Sequence, residues 1–79
     1  MGFAKTERDW AERVARHLKA ELKRANVTYE ELAERLKAHG FSETRASISN
    51  KLARATVPAS FFLACLAALE LEGVRLEDI

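Results

Sequence analysis

Apolar positions recur at helical spacing through most of the chain, and the repeat is interrupted where residues that start or stop helices stand. Trp10, Val14, Leu18 and Leu22 fall every four residues, which places them on one stripe of a helix over residues 6–25. Thr6 can cap that helix, and Glu7 and Asp9 put negative charge at the positive end of its dipole. Asn26 and Val27 break it. The run Thr28-Tyr29-Glu30-Glu31 then reads as a capping box, with Glu31 reaching back to the Thr28 amide. Val27 and Leu32 take the two positions of a hydrophobic staple around it. This second helix turns Leu32, Ala33 and Leu36 inward and runs to about Ala38, and Gly40 stops it in a left-handed cap.

Ser42 stands as the next N-cap, so the turn covers Lys37 to Phe41, with Phe41 plugging the core. The third helix runs from Glu43 to about Ala55. Ile48 and Leu52 lie one turn apart and face in. At about 100° per residue, Glu43, Ala46, Asn50, Ala53 and Arg54 point away from the core, with Ser47 and Ser49 on the flanks. The front, Ala46, Ser47 and Asn50, is small and polar, and Arg45, Lys51 and Arg54 frame it. Serine and asparagine cost helix propensity, so a constraint other than helix stability holds them there.

Thr56-Val57-Pro58 is a linker, and Pro58 suits the first turn of a fourth helix over residues 58–71. That helix, PASFFLACLAALEL, is apolar almost all round, so it is central to the fold or lies partly in an interface. Gly73 ends it, and Val74, Leu76 and Ile79 suggest a short final turn folding back. The fold class is all-α, with four to five helices in one domain over residues 1–79 and a flexible stretch at residues 1–5.

Composition narrows the function. The net charge of +1 hides a gradient. Residues 1–27 hold seven basic and four acidic side chains (+3), 28–41 two and three (−1), 42–57 three and one (+2), and 58–79 one and four (−3). Such a chain is no general polyanion binder; any nucleic acid meets one face only. On the first helix the basic residues read as a solvated face, or as phosphate contacts near Lys23 and Arg24. Cys65 is the one cysteine, which leaves no intrachain disulfide and no multi-cysteine metal site; mid-helix in an apolar run, it belongs to the core. His17 and His39 have no partners at metal-binding spacing and read as surface or capping residues. Glu30 with Glu31 and Glu77 with Asp78 are helix-end charges, and no Gly-rich phosphate loop or Ser-His-Asp set exists, so the expectation is no enzyme, no cofactor and no metal. The start MGFAKTERDW has no apolar signal run, and the longest apolar run, Phe61 to Leu69, is nine residues against the ~20 a membrane span needs. The expected protein is soluble and cytoplasmic.

Three pieces, in order, carry a resemblance. VTYEELAERL resembles the opening of the Cro/C1-type family, the lambda-repressor-like or xenobiotic-response-element helix-turn-helix domains. ISNKLARATVP stands where that family has Ile-Ser, a polar or basic run, and Pro. FFLACLAALEL with the following G-V-x-L-E-D-I is similar to its fourth helix and ending. The likeness covers about Val27 to Ile79 and suggests a small bacterial branch of the superfamily. It departs in three places: extra residues lie between Leu36 and Ile48, Ala53-Arg54-Ala55 fills the region of the glycine that follows the recognition helix, and Lys51 stands where an aromatic or aliphatic residue is usual.

The resemblance implies a lambda-repressor-like fold with a central helix-turn-helix whose third helix, residues 43–55, reads the major groove of double-stranded DNA. Ser42, Thr44, Arg45, Ser47, Ser49, Asn50 and Lys51 are then its candidate contacts, with Arg54 and Thr56 on phosphate. Asn pairs with adenine and Arg or Lys with guanine through two hydrogen bonds. Tyr29 stands where a phosphate is held at the start of the second helix, or its ring packs over that helix. One such domain makes few contacts, so a homodimer on a two-fold operator is expected, joined through Phe61, Phe62, Leu63 and Leu66 or through the acidic C-terminal segment. The alternative is a protein-protein interaction module that keeps the fold without reading DNA; Glu43, placed at the front of the third helix, favours it by repelling phosphate.

Overall fold

The computed structural model describes residues 2–79, and among them every regular element is helical. α1 spans Glu7–Ala25, α2 Tyr29–Leu36, α3 Arg45–Arg54 and α4 Ala59–Ala68, with 3-10 turns at Lys37–His39 and Leu76–Asp78. Met1 lies outside the described residues; of the rest of the N-terminal segment, Ala4 is buried and Arg13 Nη1 donates to the Gly2 carbonyl at 3.1 Å.

α2 packs against both α3 and α4, and α1 against α3. Leu18, Leu32, Leu36, Ile48, Leu52, Phe61 and Cys65 meet at the centre with almost no exposure. Phe41 closes the core from the turn, edge-on to Phe61 with ring centroids 6.1 Å apart. The stripe of α1 is narrower than its four-residue repeat. Ala15, Leu18 and Leu22 are buried, Val14 is half-buried, and Trp10 stacks on Phe3 at 6.3 Å instead of joining the core. His17 is half-buried, its ring edge-on to Phe62 at 6.3 Å.

All four turns that follow a helix are closed by the same main-chain device. Asn26, Gly40, Ala55 and Glu70 each adopt left-handed backbone, with φ of 58°, 85°, 56° and 61°. In each case the next amide reaches back five residues: Val27 to Leu22, Phe41 to Leu36, Thr56 to Lys51 and Leu71 to Leu66, at 2.9–3.1 Å. These are Schellman motifs, which satisfy the carbonyls a helix end leaves free. Gly40 takes the stopping role its sequence suggests. Two expectations change. α4 ends at Ala68, with Glu70 rather than Gly73 turning the chain. The missing glycine after α3 is replaced by Ala55 in the same conformation.

The N-terminal caps also differ in detail. Thr6 and Thr28 accept from the Asp9 and Glu31 amides, as expected. The Thr28 box is only half made, because Glu31 Oε2 pairs with Arg35 Nη2 at 2.6 Å instead of reaching back. Arg35 Nη1 also donates to the Ala68 carbonyl at 3.1 Å, so one guanidinium ties α2 to the C-terminal end of α4. The cap of α3 is Thr44, not Ser42. Three residues after Ser42 comes Arg45, which cannot accept a hydrogen bond; three after Thr44 comes Ser47, which can. Thr44 Oγ1 accepts from the Ser47 amide at 3.0 Å and the Thr44 amide donates to Ser47 Oγ at 2.9 Å, completing a reciprocal box.

Candidate nucleic-acid interface

Because α3 begins two residues late, Glu43 precedes it and folds back beside it. Its carboxylate accepts from Ser47 Oγ at 2.6 Å and from Lys51 Nζ at 2.9 and 3.1 Å. The Glu43 and Lys51 side chains are only 11% and 28% exposed, and Lys51 Nζ also sits 5.2 Å from the centre of the Phe61 ring. Glu43 is therefore not at the front of α3, and the repulsion expected from it is absent there. Lys51, Ser47 and Thr44 are already engaged within the fold: the first neutralises Glu43, and the other two build the cap.

What remains outward is one continuous strip. Arg45, Ala46, Ser49, Asn50, Ala53 and Arg54 are all exposed. Ile48 and Leu52 hold the opposite side of α3 in the core at 0% and 1% exposure, which fixes this orientation. Ser42 and Thr56 are exposed just outside the two ends of the helix. Tyr29 is half-buried against the core, so its ring packs as one of its two readings had it, while it also borders an open groove.

That groove, of about 410 Å³, lies where the C-terminal half of α1 passes the starts of α2 and α3. Lys19, Lys23 and Arg45 project along it, with Glu30 as its one acidic residue. Seven of the thirteen basic residues are paired with a carboxylate. Among the described residues the other six, Lys5, Arg16, Lys19, Lys23, Arg45 and Arg54, are not, and three of them, Lys19, Lys23 and Arg45, leave positive charge uncompensated along the groove. Arg24, grouped with Lys23 in the sequence, instead pairs with Glu21. Lys19 was the residue to add. Neither Lys19 nor Lys23 has an acidic residue three or four positions away, whereas Arg24 has Glu21 at three.

No group of three or more His, Cys, Asp or Glu side chains positioned to hold a metal occurs among the described residues. None of their helices is long and apolar enough to cross a membrane. No curated protein and no solved structure matches the chain. Residues 10–74, from the first turn of α1 to the segment after α4, match one family model. That span is most of the chain, and the protein belongs to the family described as Domain of unknown function (DUF6471).

Proposed function

We propose that the protein is a sequence-specific double-stranded DNA-binding transcriptional regulator of the cytoplasm, similar in plan to the Cro/C1-type helix-turn-helix domains, with α3 entering the major groove. The outward strip of α3 carries this reading: a slim polar front at Ala46 and Asn50 with Ser49 beside it, flanked by Arg45 and Arg54, which pair with no carboxylate among the described residues. Asn50 lies opposite the core side and is the candidate base reader; Arg45 and Ser49 lie on the flank toward α1. Arg54, Lys19 and Lys23 supply phosphate contacts to either side, and Tyr29 with the α2 amides borders the same backbone path. The chain acts as a pair, since one copy offers a single short helix to the groove.

The test is duplex binding across a salt series, first with random sequence and then with a selected site. Binding at low salt should fall with a clearly negative log–log slope. Asn50→Ala should weaken the selected site by ~1–3 kcal/mol and leave random sequence nearly unchanged, while Arg54→Ala weakens both alike. A folded sample that binds no duplex at low salt rules the reading out. The second reading, a protein-interaction module, draws on a different feature. Phe3 and Leu76 are 59% and 58% exposed and line one hollow with Ile79, on which another protein can seat.

A further inference from the structure

Three of the four helices carry charge on their outer faces. α1 exposes Arg8, Glu12 and Arg16; α2 exposes Glu30 and Glu34; α3 exposes Arg45 and Arg54. α4 has no charged residue in its ten positions. Phe61, Phe62, Cys65, Leu66 and Ala68 are buried beneath it. This corrects the dimer surface drawn from the sequence, since of Phe61, Phe62, Leu63 and Leu66 only Leu63 is left outside. The outer face is Ala59, Ser60, Leu63 and Ala67, all exposed, with Ala64 at its edge. Leu63, at 63%, exceeds Phe3 and Leu76 in exposure. A lone surface leucine is ordinary. A surface helix with no charge along its whole length leaves an apolar face without a partner.

We propose that this face packs against the same face of a second copy of the chain, antiparallel, about a two-fold axis beside Leu63. The charge pattern selects that occupant. A two-fold axis brings a helix face against itself, so any charge near its centre meets its own sign. Among the described helices the outer face of α4 is the one that meets itself with no like charges opposed, since the strip on α3, uncharged at its middle, would set Arg45 of each copy against Arg54 of the other. Small residues flanking Leu63 let the two backbones approach closely. The ends are complementary in the opposite sense. Pro58 gives the start of α4 no side-chain cap, so its first amides present the positive end of the helix dipole uncovered. Glu70, just past the other end, is exposed and has no ion-pair partner among the described residues. Antiparallel pairing brings Glu70 of each copy beside the uncapped start of the other's α4, and each copy completes a cap its partner lacks.

The pairing is independent of what α3 binds, so it is tested without DNA. Sedimentation equilibrium of the full chain should show the mass passing from monomer to dimer between low and high micromolar protein. Leu63→Glu should remain monomeric throughout, with circular dichroism and melting temperature equal to the parent's at low micromolar protein, where both are monomers, and Leu63→Met should dimerise as the parent does. Glu70→Lys should weaken the dimer by ~10-fold or more, the equivalent of ~1.4 kcal/mol. Leu63→Cys should cross-link to itself under mild oxidation while the buried Cys65 stays reduced. A parent chain that stays monomeric at high micromolar concentration overturns the proposal. So does a dimer that survives Leu63→Glu, or one dissociated instead by Leu76→Glu, which places the contact at the other apolar surface. Loss of DNA binding with the dimer intact speaks against the α3 reading alone.

Discussion

Ala55 holds the exit of α3 in backbone that alanine dislikes. At φ 56° its Cβ crowds the following carbonyl oxygen, a strain of ~1–2 kcal/mol for an L-residue that glycine does not carry. Ala55→Gly should therefore stabilise the protein by about 0.5–1 kcal/mol after the extra freedom glycine gives the unfolded chain, raising the melting temperature by a few degrees. Thermal unfolding followed by circular dichroism measures this, and a lower melting temperature would contradict the account. The contrast with its three counterparts shows what single residues reveal in a sequence. Asn26 and Gly40 are residue types that tolerate left-handed backbone, and both read as helix stops. Ala55 and Glu70 carry no such mark, because their conformation is imposed by the chain continuing into packed segments on either side.

At the scale of elements, α3 is decided by a contest between two caps two residues apart. Ser42 and Thr44 both suit the position, and the acceptor at Ser47 settles it in favour of Thr44. That shift turns Glu43 inward, engages Lys51 and ties Thr44 and Ser47 into the cap, so three candidate contacts are engaged by the scaffold for one reason. Lys51→Ala leaves the Glu43 carboxylate, 11% exposed, without its cation. It should cost about 1–2 kcal/mol in urea denaturation, and under the proposed DNA-binding role it should change affinity far less than Asn50→Ala does. Unchanged stability with strongly reduced binding would put Lys51 back at the interface. α2 was legible almost to the residue because cap, staple and glycine stop agree. The limits of α4 were not, since a helix apolar on every side shows no periodic edge at which to end.

Across the whole molecule, the order of four helices follows from periodicity and caps, and the shared core of Leu18, Leu32, Leu36, Ile48 and Leu52 follows from the inward positions those imply. What the sequence could not convey is which cations find acids, since that depends on how the helices cross. Cys65 reports on the same core. Burial, aided by Glu43 and opposed by Lys51, pushes its thiol from the ordinary 9.0 up to about 12. The raised value means that this contribution to stability is present in full below pH 9. It is lost as pH rises from there toward 12, where the unfolded chain ionises and the folded one does not. The slope reaches ~1.4 kcal/mol per pH unit. Cys65→Ala should lower stability at neutral pH yet lose less of what remains between pH ~8 and ~10.5, a window that brackets the unfolded thiol's titration, in paired urea titrations. Equal losses in both proteins would show that the thiol is not the cause. The two ends of α3 are closed by Thr44 with Ser47 and by the Ala55 turn, and its inner side by Ile48 and Leu52. Ala46, Ser49, Asn50 and Ala53 take part in none of these. Exposed changes of that kind typically move stability by no more than ~0.5 kcal/mol. Those positions can diversify almost freely in evolution, so a single strip of surface can change its chemistry while the scaffold beneath it stays unaltered.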